Sequence, residues 1–109
     1  MFEKNLSMGY LLDFYGEVLT ERKREVLDFY YNDDLSLAEI AAELGISRQG
    51  VRDIIKKTED ELVFLEEKLH LAKKFDSAQK SIERAKKIAS TIGNEELCTA
   101  LDAIASDLG

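Results

Sequence analysis

The side chains best placed to do chemistry in this chain are a short run of cations and an amide, Arg48, Gln49, Arg52, Lys56 and Lys57, directly behind Ser47. Arg and Gln are the types that read guanine and adenine edges, and Lys reaches phosphate oxygens. Their spacing suits recognition from one helix rather than bond-making. His70 is the single histidine and has no cysteine or carboxylate partner at metal-ligand spacing, so no metal site is expected. Cys98 is the single cysteine, on a face shared with Leu101 and Ala105. With no histidine near it in sequence, a buried, inert thiol is expected rather than a nucleophile. Neither a GxxxxGK[ST] loop nor GxGxxG is present, which argues against GTP hydrolysis by the chain itself. The carboxylates fall on polar helix faces beside lysines, where a catalytic pair has no distinguishing mark. No catalytic residue, cofactor or metal is assigned, and a non-enzyme is expected.

Residues 37–56, LAEIAAELGISRQGVRDIIK, carry the pattern of the helix-turn-helix that such a contact run requires. Ala41 is small where the first helix must approach the second, and Gly45 sits in the turn, where a positive φ is easiest without a Cβ. Ile40, Leu44, Ile46, Val51 and Ile54 supply the apolar contacts that set the crossing of the two helices. Ser47 is the N-cap of the recognition helix.

Around this segment the periodicity predicts an all-α chain of six helices. Leu6, Tyr10, Leu11 and Phe14 mark the first, which Gly16 ends. Thr20 caps a second with Val26, Leu27, Tyr30 and Tyr31 on its apolar face, broken by Asn32-Asp33-Asp34. Ser36-Leu37-Ala38-Glu39 is a capping-box pattern opening a third, which runs to Leu44. The fourth has no evident breaker as far as Phe75. Its apolar positions Val51, Ile55, Thr58, Leu62, Leu65, Leu69 and Ala72 step alternately by four and three, a heptad seam. Val63, Phe64, Leu71 and Phe75 lie off that seam, and a homodimer through them and the C-terminal helices is expected. Asp76 is the expected cap of a fifth helix with Ala78, Ile82, Ala85, Ile88 and Ile92. Gly93-Asn94 breaks it, and Leu97, Leu101, Ile104 and Leu108 mark a sixth. The expected organisation is one helical domain over 1–109: a helix-turn-helix part over 6–57, a long connecting helix over 58–75 and a C-terminal helical pair over 76–109. Tyr10, Phe14, Tyr15, Phe29, Tyr30 and Tyr31 fall at helical spacing and are expected to pack the first helices on the third, rather than to form a stacking platform for single-stranded RNA.

Composition agrees. The 109 residues include no proline and six glycines, with 45% hydrophobic and 34% charged side chains, which suits a helical domain and excludes disorder. The net charge of −7 excludes a surface that is a phosphate-binding field throughout. It is unevenly spread: −2 over 1–19, −4 over 20–62 and −1 over 63–109. One cysteine excludes a disulfide framework within the chain and fits a reducing compartment. MFEKNLSMGYLLDFYGEV has no apolar stretch of signal or spanning length, so a soluble cytoplasmic protein without membrane insertion is expected.

The stretch LTERKREVLDFYYNDDLSLAEIAAELGISRQGVRDIIKKTEDEL is similar to the fourth region of bacterial sigma factors, which reads promoter DNA. More of the chain resembles the YlxM family, small helix-turn-helix proteins encoded beside genes for signal recognition particle components. The resemblance rests on Met8-Gly9-Tyr10-Leu11-Leu12-Asp13-Phe14-Tyr15, Leu19-Thr20, Tyr30-Tyr31 with Asp33-Asp34-Leu35-Ser36-Leu37, and Ser47-Arg48-Gln49-Gly50-Val51. Lys56-Lys57-Thr58-Glu59 and Glu66-Glu67-Lys68-Leu69-His70-Leu71 complete it, so it spans residues 6–75. The chain departs at Gly50, where many members carry Ala. The resemblance implies a sigma-like helix-turn-helix fold and a regulatory or accessory part in the signal recognition particle pathway. Protein or RNA components of that particle would then be the partners, met through Ser47, Arg48, Gln49, Arg52, Lys56 and Lys57. Double-stranded DNA, read by the same residues in a transcriptional regulator, is the alternative, and an acidic decoy for a basic protein is a third.

Overall fold

A computed structural model describes residues 7–108, so Leu6, expected on the first helix, lies outside the described residues. Among them are six α-helices and no strand. Two compact units divide the chain between His70 and Leu71.

The first unit holds α1 (Ser7–Tyr15), a 3₁₀ turn (Gly16–Val18), α2 (Glu21–Leu27), a π-helical turn (Asp28–Asn32), α3 (Leu37–Leu44) and α4 (Arg48–Leu69). Local chemistry accounts for each boundary. The Thr20 hydroxyl accepts from the Lys23 amide at α2, and the Ser47 hydroxyl accepts from the Gly50 amide at α4, 2.9 Å. At α3 the capping box is complete. The Glu39 amide donates to Ser36 Oγ at 3.1 Å and the Ser36 amide donates to Glu39 Oε1 at 3.0 Å. Hydrogen bonds to its carboxylate, from the Ser36 backbone first and the Ser36 side chain second, hold the Glu39 carboxyl below the usual range. Gly45 ends α3 at φ 68°, the conformation expected of the turn.

The core of this unit is contributed by all its helices. Leu12 and Tyr15 of α1, Val26 and Leu27 of α2, Tyr30 of the π turn, Ile40 and Ala41 of α3, and Val51, Ile55 and Leu62 of α4 are buried together. Leu44, Ile46 and Ile54 pack on it half-buried, as do Phe14, Phe29 and Tyr31. The aromatic residues therefore act mainly in packing. Tyr30 and Tyr31 meet edge to face at 5.1 Å, and Tyr10 and Phe14 at 5.2 Å. The heptad seam turns out to be internal. Val51, Ile55, Thr58 and Leu62 are all fully buried against helices of the same chain, and Leu65 packs on that core. The Thr58 hydroxyl donates to the Ile54 carbonyl at 2.7 Å, so its burial leaves no unmet donor.

Three cross-links clamp the outer edge of α4 to the helices before it. The Tyr15 hydroxyl donates to Glu66 at 2.7 Å, the Lys23 ammonium to Glu61 at 2.9 Å, and the Tyr31 hydroxyl to Glu59.

The second unit is an antiparallel pair, α5 (Leu71–Ile92) and α6 (Glu95–Leu108). Gly93 at φ 77° ends α5, and the Asn94 side chain accepts from the Leu97 amide at 3.0 Å to open α6. Lys86 of α5 pairs with Asp102 of α6 at 2.7 Å, a bond that raises the lysine's pKa.

Two expected boundaries are corrected. The fourth helix does not run to Phe75: it stops at Leu69, because His70 takes the left-handed conformation at φ 54° while its amide still donates to the Glu66 carbonyl. The seam loses its partners there, since Leu69 is 46% exposed, and histidine tolerates that conformation better than most residues. The C-terminal pair accordingly begins at Leu71, not Asp76. Asp76 is no cap; it lies inside α5 and pairs with Lys80 at 3.0 Å, one turn on.

Candidate nucleic-acid or partner interface

The packing of α3 on α4 decides which side of the recognition helix is free. Ile40 and Ala41 of α3 take up the Val51 and Ile55 side, and the opposite side of the first three turns of α4 faces solvent. Ser47, Arg48, Gln49, Arg52, Lys56 and Lys57 are all exposed. With an advance of about 100° per residue, Arg48, Gln49, Arg52 and Lys56 share one face, and Lys57 lies on its flank, opposite the core.

Three of the expected contact residues, Arg48, Gln49 and Arg52, line an open depression of about 430 Å³ together with Ser36, Leu37 and Ala38. The α3 N-terminus was not among the residues singled out from sequence, although the Ser36–Glu39 box marks it as a helix start close to the contact run. The depression is open and polar on one side, a contact surface and not an enclosed substrate pocket.

Two exposed acids belong to this face, and each is engaged by it. Gln49 Nε2 donates to Asp53 at 2.9 Å and the Lys56 ammonium to Asp60 at 3.3 Å, both one turn apart. Gln49 must therefore exchange an intramolecular bond for any contact it makes with a base. Glu59 and Glu61, two of the acids behind the net −4 of residues 20–62, bond to Tyr31 and Lys23. Residues 48–57 carry four cations and one acid. Arg52 also bears on the core. Burial raises the Tyr30 pKa, the charge of Glu59 raises it further, and the guanidinium of Arg52 works against both.

The residues expected at a dimer contact do not gather into one face of one unit. Val63, half-buried, and Phe64, 56% exposed with the Lys68 ammonium 5.7 Å from its ring centre, lie on α4 in the first unit. Leu71, exposed, and Phe75, half-buried, lie on α5 in the second. Cys98 is half-buried on α6. Among the described residues no group of three or more His, Cys, Asp or Glu side chains is arranged to hold a metal, and no helix is long and apolar enough to cross a membrane.

Comparison with known proteins extends the likeness beyond residue 75. The family described as "Putative helix-turn-helix protein, YlxM / p13 like" matches residues 2–101. The UPF0122 proteins of Bacillus cereus (strain AH187), Bacillus anthracis (strain A0248) and Bacillus thuringiensis subsp. konkukian (strain 97-27) are each 45% identical over 106 residues, covering 95% of this chain and 96% of theirs. With six helices among its described residues, a capped helix-turn-helix and that extent of match, the chain belongs to the YlxM / p13-like family of helix-turn-helix proteins.

Proposed function

We propose that this protein is a non-catalytic, cytoplasmic accessory factor of the signal recognition particle pathway. It holds an RNA or protein component of the particle with Arg48, Gln49, Arg52, Lys56 and Lys57. The observation that carries the contact surface is electrostatic. A compact cationic face sits on a unit whose sequence, residues 1–70, holds nine basic and sixteen acidic side chains and so bears the whole net charge of −7. Such a body repels extended phosphate backbones at long range and accepts a short anionic element at one place, which suits a folded ribonucleoprotein better than a long duplex. The pathway itself rests on the family resemblance. The test is co-purification of the full-length chain from cell extract, read by mass spectrometry and RNA sequencing. The particle's GTPase or RNA should be recovered with the wild type and lost with the Arg48→Ala, Arg52→Ala double variant. Recovery of neither with the wild type rejects the proposal.

Sequence-specific duplex DNA is the second candidate partner. It is favoured by one observation: Arg48, Gln49, Arg52 and Lys56 lie exposed on one face at the start of α4, where a groove could meet them, while Glu59 and Glu61 are bonded to neighbouring helices. DNA binding predicts a steep fall of affinity with salt and loss on Arg48→Ala with Arg52→Ala. No binding to upstream or genomic fragments at about 50 mM salt would exclude it.

A further inference from the structure

The α5–α6 pair lacks a core of its own. Its buried residues, among those described, are Ala72 and Ala89, while every large side chain that is fully buried lies between Val26 and Leu62. Two helices with nothing larger than alanine buried need a further layer to be stable. They also display the surface such a layer would cover: Ile88 is 59% exposed, Ile92 68%, Leu97 41%, Ile104 48% and Leu108 37%. The advance of about 100° per residue places these five on one side of the hairpin, opposite the side closed by the Lys86–Asp102 pair.

We propose that this hairpin is a dimerisation unit. Two copies of the chain join their apolar faces into an antiparallel four-helix bundle, α5 of one against α6 of the other. Charge selects both the occupant and the pairing. α5 carries six cations and two acids, and α6 carries four acids and no cation. A second copy therefore offers the complement of each helix, whereas α5 on α5 or α6 on α6 would set like charges along the seam. On the same geometry Arg84 edges the apolar stripe of α5, and Glu96 and Asp107 edge that of α6, so the two edges meet across the interface. An open depression of about 300 Å³ lined by Asn94, Glu96, Leu97 and Ala100 lies at the loop end of the face. It is placed to receive Ile92 of the second copy. The interface thus lies on residues other than Val63, Phe64, Leu71 and Phe75. It gives each dimer two copies of the α4 contact face.

Sedimentation equilibrium of the full-length chain tests this. At tens of micromolar the expected species has twice the 12.4 kDa chain mass. Ile88→Glu with Ile104→Glu should return a 12.4 kDa species with the helical circular dichroism retained. Arg84→Glu, an exposed change that keeps the fold, should weaken the dimer several-fold, and adding Glu96→Arg with Asp107→Arg should restore it. A 12.4 kDa wild-type species at about 100 µM overturns the proposal, since dimers of functional strength form well below that concentration. A dimer that the double glutamate variant leaves unweakened also overturns it, as does a monomer whose melting temperature that variant lowers, for the face is then covered by the chain's own first unit. Binding through Arg48 and Arg52 is measured separately, so either conclusion can fail alone.

Discussion

Tyr30 illustrates how much one residue can hold at once. Its ring is buried, Tyr31 stacks edge-on against it, and its hydroxyl lies within the field of both Glu59 and Arg52. Burial above all, and Glu59 next, raise its pKa. A phenol with a raised pKa contributes fully while it is neutral in both folded and unfolded chains, and loses that contribution as pH rises through the folded value. The melting temperature should therefore fall more steeply above about pH 10 in the wild type than in Tyr30→Phe, as measured by thermal melts over that alkaline range. The glycines give a second contrast. Gly45 sits at φ 68° with nothing within 4 Å of an added Cβ, so Gly45→Ala meets strain and no clash. It should cost about 1 kcal/mol in denaturant unfolding. Gly50 is helical, and Ala would gain up to about 1 kcal/mol of helix propensity. Its Cβ would stand 3.2 Å from the capping hydroxyl of Ser47, which takes back part of that gain. Gly50→Ala should therefore stabilise by less than about 1 kcal/mol.

At the scale of the elements, most N-caps and helix stops were legible beforehand because they depend on neighbours within four residues. Thr20, Ser36 with Glu39, Gly45 and Ser47 all act where their types and spacing indicated. Ser47→Ala should lower stability by about 1 kcal/mol and fray the first turn of α4, where Arg48 and Gln49 lie. Weakened partner binding with an unchanged far end of α4, followed by hydrogen exchange, is the result expected. His70 was not legible as a helix stop. Nothing in its type demands a left-handed residue, and the chain breaks there where α4 has run past its partners, as the exposure of Leu69 shows. Asp76 misled for the converse reason: a good capping type, it lies within a helix whose start was set elsewhere.

For the whole molecule, the division of the core has measurable consequences. Leu62 is fully buried in a core built by four helices and the π turn, and Leu62→Ala should cost about 2–5 kcal/mol. The amides of α5 and α6 should exchange faster than those of residues 51–62 at low protein concentration, since no large buried side chain lies in the hairpin. Protection confined to α5 and α6 that rises with concentration is what dimerisation through this face predicts.

The amino-acid sequence by itself determined the all-α class, the helix-turn-helix, its caps and the exposed run Arg48, Gln49, Arg52, Lys56 and Lys57. These follow from periodicity and from short-range hydrogen bonding, which adjacent residues encode. Only the tertiary structure decided what the α4 seam packs against, where Glu59, Glu61 and Glu66 find their partners, and which apolar side chains stay in water. The seam from Val51 to Leu62 has the same spacing whether it meets another chain or its own α1, α2 and α3. Those are contacts between residues up to 51 apart, as Tyr15 and Glu66 are, and the choice among them is made by the competition of whole helices for one buried surface.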